Sequence, residues 1–193
     1  MKKKWNFLWI VLIILIWIVA YSIVTNPYNQ AKRDKSFLGA ENASVTIISF
    51  VDYSNNDSAS SEVVMKNLRN KYEGKIKFIY KYYNFTNVSY YSAMAAECAA
   101  SQKKFEKMHD KLFENYYNIT YASIFVFSSE VYLAKEEFRL CMENELYGQS
   151  VLKDYELAKK LKISVLPTVF INGLKVEGYR SSAIYSKIID EEL

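Results

Sequence analysis

Four consecutive polar residues, Asn55-Asn56-Asp57-Ser58, follow the apolar run Val45–Val51 and the short link Asp52-Tyr53-Ser54. Side chains of Asn, Asp and Ser accept hydrogen bonds from the first free N–H groups of a helix, so this tetrad suits a helix start. Asp57 there would face the positive end of the helix dipole. The same four side chains could instead form a polar binding patch. A calcium loop through Asp52, Ser54, Asn56 and Ser58 fails, because an EF-hand needs Gly at its sixth position and Glu at its twelfth, where this chain has Asp57 and Val63. Ser58 brings a hydroxyl but no local base. His109, the sole histidine, has no nucleophile near it in sequence with which to form a catalytic set. Cys98 and Cys141 are too far apart for a CxxC, and no cluster of cysteine or histidine marks a metal site. No residue pattern calls for a cofactor.

The elements that would position these residues alternate between strand and helix. Val45–Val51 is an apolar, β-rich run, and Ser58–Tyr72 carries Val63, Val64, Leu68 and Tyr72 at helical spacing. Lys75–Tyr82 alternates Ile76, Phe78 and Tyr80 with Lys75, Lys77 and Lys81, a strand with one wetter face. From Ser89 to Leu146 the pattern is helical almost throughout, and Val151–Leu161 is a further helix. Thr168–Ile171 and Leu174–Glu177 flank the Asn172-Gly173 turn as a hairpin, and Ser181–Glu191 reads as a closing helix.

Ahead of this domain, Lys2-Lys3-Lys4 precedes the apolar stretch Trp5–Val24, long enough to span a hydrocarbon core. Residues 1–4 read as a basic cytoplasmic tail by the positive-inside rule, and residues 5–24 as an uncleaved single-pass anchor. A cleavable signal peptide is the rival, with Ala20-Tyr21-Ser22 as its small-x-small site. Residues 25–35 read as a polar linker in which Pro27 stops the helix and Lys32, Arg33 and Lys35 meet lipid head groups. Everything after Val24 would lie outside the cytoplasm. The formal charge is +4, and setting aside Lys2–Lys4 and the net +2 of Lys32–Lys35 leaves −1 for residues 36–193. A near-neutral domain excludes nucleic acid as a partner on electrostatic grounds, and its length suits one core. The 17 tyrosines and the five N-x-[ST] sequons at Asn42, Asn56, Asn84, Asn87 and Asn118 fit a bias in composition better than a function.

Two fragments carry a family likeness: Ser49-Phe50-Val51-Asp52-Tyr53-Ser54, and Val165-Leu166-Pro167-Thr168-Val169-Phe170-Ile171-Asn172-Gly173. They resemble the halves of a DsbA-like thioredoxin-fold active site, F-x-D-Y-x-C-P-x-C and T-P-T-x-x-I-N-G. Phe37–Ile47 is similar to that family's lead-in, and Ala95-Ala96-Glu97-Cys98-Ala99 through Gln102, Phe105 and His109 to its helical insertion. The resemblance covers residues 36–193 and implies an α/β thioredoxin-like fold with a helical insertion at about 89–146. It implies a cis Leu166–Pro167 bond beside the active-site helix, with the backbone before the proline pairing extended substrate. It gives His109 a packing or helix-capping role. Relatives often have Thr or Val before the proline, so Leu166 makes this edge more apolar.

At the C-P-x-C positions stand Asn55, Asn56, Asp57 and Ser58. Thiol–disulfide exchange needs a thiolate, which neither amide nor hydroxyl supplies. The resemblance also implies a structural disulfide between Cys98 and Cys141, with two unpaired core cysteines or a functional thiol as alternatives. The expected function is therefore a membrane-anchored, redox-inactive module that binds extended or unfolded polypeptide through Asn55–Ser58, Leu166 and Pro167. An oxidoreductase working through Cys98 and Cys141, and a structural subunit of an envelope complex, are the competing readings.

Overall fold

In the computed structural model the described residues are 2–32, 37–83 and 86–193, with residues 2–7 described by backbone alone. Arg33 and Lys35, placed above at lipid head groups, and the Asn84 sequon lie outside them. The helices are α1 (Lys2–Thr25), α2 (Pro27–Ala31), α3 (Asn56–Lys71), α4 (Asn87–Ser101), α5 (Phe105–Glu114), α6 (Tyr121–Glu130), α7 (Lys135–Glu143), α8 (Gly148–Lys160) and α9 (Ser182–Glu192). The strands are β1 (Leu38–Gly39), β2 (Val45–Val51), β3 (Ile76–Tyr82), β4 (Thr168–Ile171) and β5 (Leu174–Glu177).

The strands form one sheet in the order β1-β3-β2-β4-β5. Only β2 and β3 run parallel, as a strand–helix–strand crossover through α3 requires. All seven residues of β2 are buried, the mark of a central strand covered on both faces. Strand alternation then divides the core in two. Val45, Ile47, Val51, Phe78, Tyr80, Val169 and Ile171 face α3, α9 and the helical insertion, while Ile48, Phe50, Ile79 and Phe170 face α8 and α2.

The insertion, α4 to α7, is organised around α4, whose Ala93, Ala95, Ala96 and Ala99 are at most 1% exposed. Such small side chains let α5, α6, α7 and α8 pack closely on α4. Cys98 on α4 is bonded to Cys141 on α7, with Cα atoms 6.0 Å apart. The disulfide implied by the resemblance is present, and among the described residues no free cysteine remains. Asn172 (φ 44°) and Gly173 (φ 99°) make the hairpin turn in the left-handed conformations that an Asn-Gly pair tolerates.

Two expectations need adjusting. The described part of the linker, residues 25–32, carries a short helix. Pro27 opens α2 at its first turn, a position where its missing N–H costs nothing, and Ala31 is fully buried. Lys81 is not on a wet face. It is 7% exposed, and its Nζ lies 2.9 Å from Asp154 Oδ1 of α8, so an ion pair replaces the expected water.

Candidate functional site

The polar tetrad sits where β2 ends and α3 begins. Asn55 is the N-cap (φ −101°, ψ 127°), and its Oδ1 accepts the Ser58 N–H at 2.8 Å. Upstream, the Ser54 N–H and hydroxyl both donate to Asp52 Oδ1, at 2.9 and 2.8 Å. The Asp52 N–H reaches Ser58 Oγ at 3.3 Å. Asp52 and Ser58 are buried and hold the turn, whereas Asn56 and Asp57 are exposed on its rim. Ser54 Oγ also lies 3.3 Å from Ser89 Oγ, next to Thr86, the N-cap of α4. The starts of two helices therefore meet through hydroxyls.

The Thr168↔Phe50 register brings Pro167 to the same end of the sheet. The Leu166–Pro167 bond is cis. The Pro167 carbonyl accepts the Gly178 N–H at 2.8 Å, and the Val165 carbonyl accepts the Thr168 hydroxyl at 2.6 Å. Among the described residues, none donates to the Leu166 carbonyl or accepts its N–H. Leu166 is half-buried and packs against the α8-side core; Val165 beside it in the chain and Tyr179 in the loop after β5 are each 46% exposed. Free backbone with apolar neighbours is the edge on which an added strand can form. All six residues singled out in sequence thus lie at the β2 end and in the Leu166–Pro167 loop.

His109 is fully buried, in packing rather than capping. Its Nδ1 lies 2.7 Å from the Tyr53 hydroxyl, and its Nε2 lies 3.3 Å from Glu62 Oε2. Glu62 also accepts from Arg69 at 2.7 Å and from the Tyr80 hydroxyl at 2.8 Å. Burial pushes the Glu62 carboxyl up, but His109 and Arg69 outweigh it and hold the group below its ordinary value. Burial raises Tyr53 and Tyr80 well above the usual phenol value, so both keep their protons. The network joins β2, α3 and β3 to α5 of the insertion.

Sequence reasoning missed Glu62 and Arg69. The available signal was their seven-residue spacing on α3, which places opposite charges on the face that also carries Met65. Glu62, His109 and Asp110 bring ligand-type atoms within 4.8 Å of one another. Their chemistry does not suit a cation, since Arg69 already holds Glu62 and Lys66 holds Asp110 at 2.5 Å. A groove of about 270 Å³ runs beside them between α3 and α5, lined by Ala59, Val63, Lys66 and Phe113 among others.

The family model described as thioredoxin matches residues 31–191, and the chain belongs to that family. The fold is that of DsbA-like proteins. The thiol–disulfide exchange protein α-DsbA2 of Wolbachia pipientis superposes with a TM-score of 0.80 at 21% identity, over 90% of this chain and 95% of that one. Oxidised BdbD of Bacillus subtilis gives 0.72 at 22%, over 81% and 91%. Among curated proteins, Na(+)/H(+) antiporter NhaA 3 of Salinispora tropica is 24% identical over 78% of this chain. The chain spans about a quarter of the length of the curated relatives it matches.

Proposed function

We propose that this DsbA-like chain is a membrane-anchored, extracytoplasmic binding module that holds extended or unfolded polypeptide and performs no thiol chemistry at its helix start. The carrying observation is the unpaired Leu166 backbone, at the same end of the sheet as a helix start whose thiol positions are occupied by an Asn cap and a buried Ser. A polypeptide strand laid along Leu166 gains main-chain hydrogen bonds, and Val165 and Tyr179 supply apolar contact. The exposed Asn56 and Asp57 offer polar contacts at one end.

The buried Cys98–Cys141 bond supports a structural staple rather than a relocated redox pair. Cys98 is fully buried and Cys141 is 4% exposed, which shields both sulfurs from an attacking thiolate. The α1 helix, apolar over Leu8–Thr25 and with none of that window buried, supports an anchor or a signal sequence. The anchor fits better with the docked α2 that follows it.

The test is photo-crosslinking from a benzophenone amino acid at Asn56 or Leu166 in the full-length protein, presented with a reduced, unfolded polypeptide. Capture at both positions, but not from the exposed Lys187 on α9, is the expected result. Absence of capture at both, in a protein with its disulfide intact, overturns the reading.

A further inference from the structure

We propose that α2 is a rigid bracket that fixes the membrane anchor to the end of the sheet opposite the site. The site then meets partners from water, and its occupant is a hydrated polypeptide segment rather than lipid or a membrane-embedded one. The inference rests on the anchor and polypeptide-binding reading above and adds where, relative to the bilayer, binding takes place.

The joint between anchor and domain is tied at several points. Asn26 Oδ1 accepts the Tyr28 and Asn29 N–H groups at 2.9 and 3.4 Å. The Asn29 and Gln30 side-chain amides donate back to the Ile23 and Thr25 carbonyls of α1, at 2.9 and 3.2 Å. A flexible polar tether would show none of these bonds. The bracket is also seated on the domain, since Ala31 is fully buried in the α8-side core. The Tyr28 ring lies 5.9 Å from that of Phe170, and a Cβ at Gly173 would lie 3.6 Å from Tyr28.

Gly173 marks the blunt end of the sheet. Its neighbour Asn172 donates its N–H to the Thr46 carbonyl at 3.0 Å and accepts the Thr46 N–H on Oδ1 at 2.9 Å. Thr46 is near the start of β2, and the site begins at Asp52, just past its end. Strand rise places the two about 20 Å apart. Tyr28 follows the last residue of α1 by only three positions, so the anchor joins the domain close to Gly173. None of the Leu8–Thr25 window is buried against the domain.

The test places one spin label per protein on the full-length chain in vesicles of zwitterionic and anionic phospholipid, at Asn56→Cys or at Leu174→Cys, with Cys98 and Cys141 left bonded. A lipid-headgroup-bound nickel chelate should relax the label at position 174 several-fold more than the label at position 56. A water-soluble chelate should relax the label at 56 more strongly. Equal or greater relaxation by the headgroup chelate at 56 overturns the proposal. A Tyr28→Ala variant should narrow the difference, because the domain then tumbles on its tether. An unchanged difference means that α2 is not the bracket and overturns that assignment. The relaxation contrast does not depend on occupancy. Loss of crosslinking with the contrast intact therefore overturns the polypeptide-binding reading and leaves the orientation standing.

Discussion

The Tyr53 hydroxyl and His109 Nδ1 lie 2.7 Å apart with both side chains buried, one on the link into the site and the other on α5 of the insertion. Burial keeps the Tyr53 phenol protonated, and its hydrogen bond to Nδ1 orients the ring so that Nε2 points toward α3. That nitrogen faces Glu62 of α3. One imidazole thus connects the turn before the site, the helix that carries it and the insertion.

Glu62 should make stability acid-sensitive. Its native pKa is held below the ordinary 4.5. A depressed carboxyl contributes stability that is fully present above the unfolded value and is lost as pH falls through the native one. Urea midpoints of the wild type should therefore be flat above about pH 5 and fall below it. Glu62→Gln should lower the unfolding free energy at neutral pH by about 1.5–3 kcal/mol, since it removes a charged hydrogen-bond partner of Arg69 while Glu106 and Asp110 still face that guanidinium at 3.8 and 4.0 Å, and should flatten the acid limb.

Asn55→Ala removes the oxygen that accepts the Ser58 N–H. Loss of such a cap costs about 0.5–2 kcal/mol, and thermal melting of the full-length protein should show that loss. Asn55→Asp should retain the cap and most of the stability. Equal losses from both variants would mean that Asn55 stabilises the turn by some other contact.

Leu166→Lys should weaken polypeptide capture by more than its cost in stability accounts for. Leu166 is half-buried and its backbone bonds to nothing among the described residues. Its side chain also packs against the α8-side core, so about 0.5–3 kcal/mol of stability should be lost with it. Crosslinking yield at Asn56, measured beside a urea midpoint, separates the two effects.

Local patterns made much of this architecture legible. The β4–β5 hairpin follows from Asn172-Gly173, and α3 from the spacing of Val64 and Leu68 behind a run of capping residues. The frame of the site was readable because each of its two halves, Asn55–Ser58 and Leu166–Pro167, is a run of adjacent residues. What stayed hidden depends on partners distant in sequence. Lys81 reads as a wet position until Asp154, 73 residues later, pairs with it. Nothing in the chain around Glu62 and Arg69 announces Tyr80 and His109, which close over them from β3 and α5. Pro27 reads as a stop until Asn26 caps a new helix across it.

Removing the staple should cost stability without touching binding. Cys98 and Cys141 join α4 to α7 across a separation of 43 residues. Closing a loop of that length is worth about 3–4 kcal/mol on the chain-entropy model. The Cys98→Ser/Cys141→Ser variant should lose about that much by urea titration while crosslinking at Leu166 persists. Loss of crosslinking in a variant that remains folded would return the pair to a functional role.

Restoring sulfur tests whether the helix start still has the field that thiol chemistry uses. In Asn55→Cys/Ser58→Cys, the new thiol at position 55 would take the N-cap, where free N–H groups and the helix dipole favour a thiolate. The thiol at position 58 would be buried where Ser58 now receives the Asp52 N–H, behind the first sulfur, as a resolving partner must be. The two should form a disulfide, and the thiol at 55 should titrate below the ordinary value of about 8.5. Insulin reduction should appear in this variant and be absent from the wild type. A single Ser58→Cys variant should stay inactive, since its thiol is buried and lacks a partner. A pair that bonds but titrates like free cysteine and turns nothing over would mean that the turn from Asp52 to Ser58 has reshaped the helix start for capping alone. The polypeptide-binding edge at Leu166 would then be what remains of the original site.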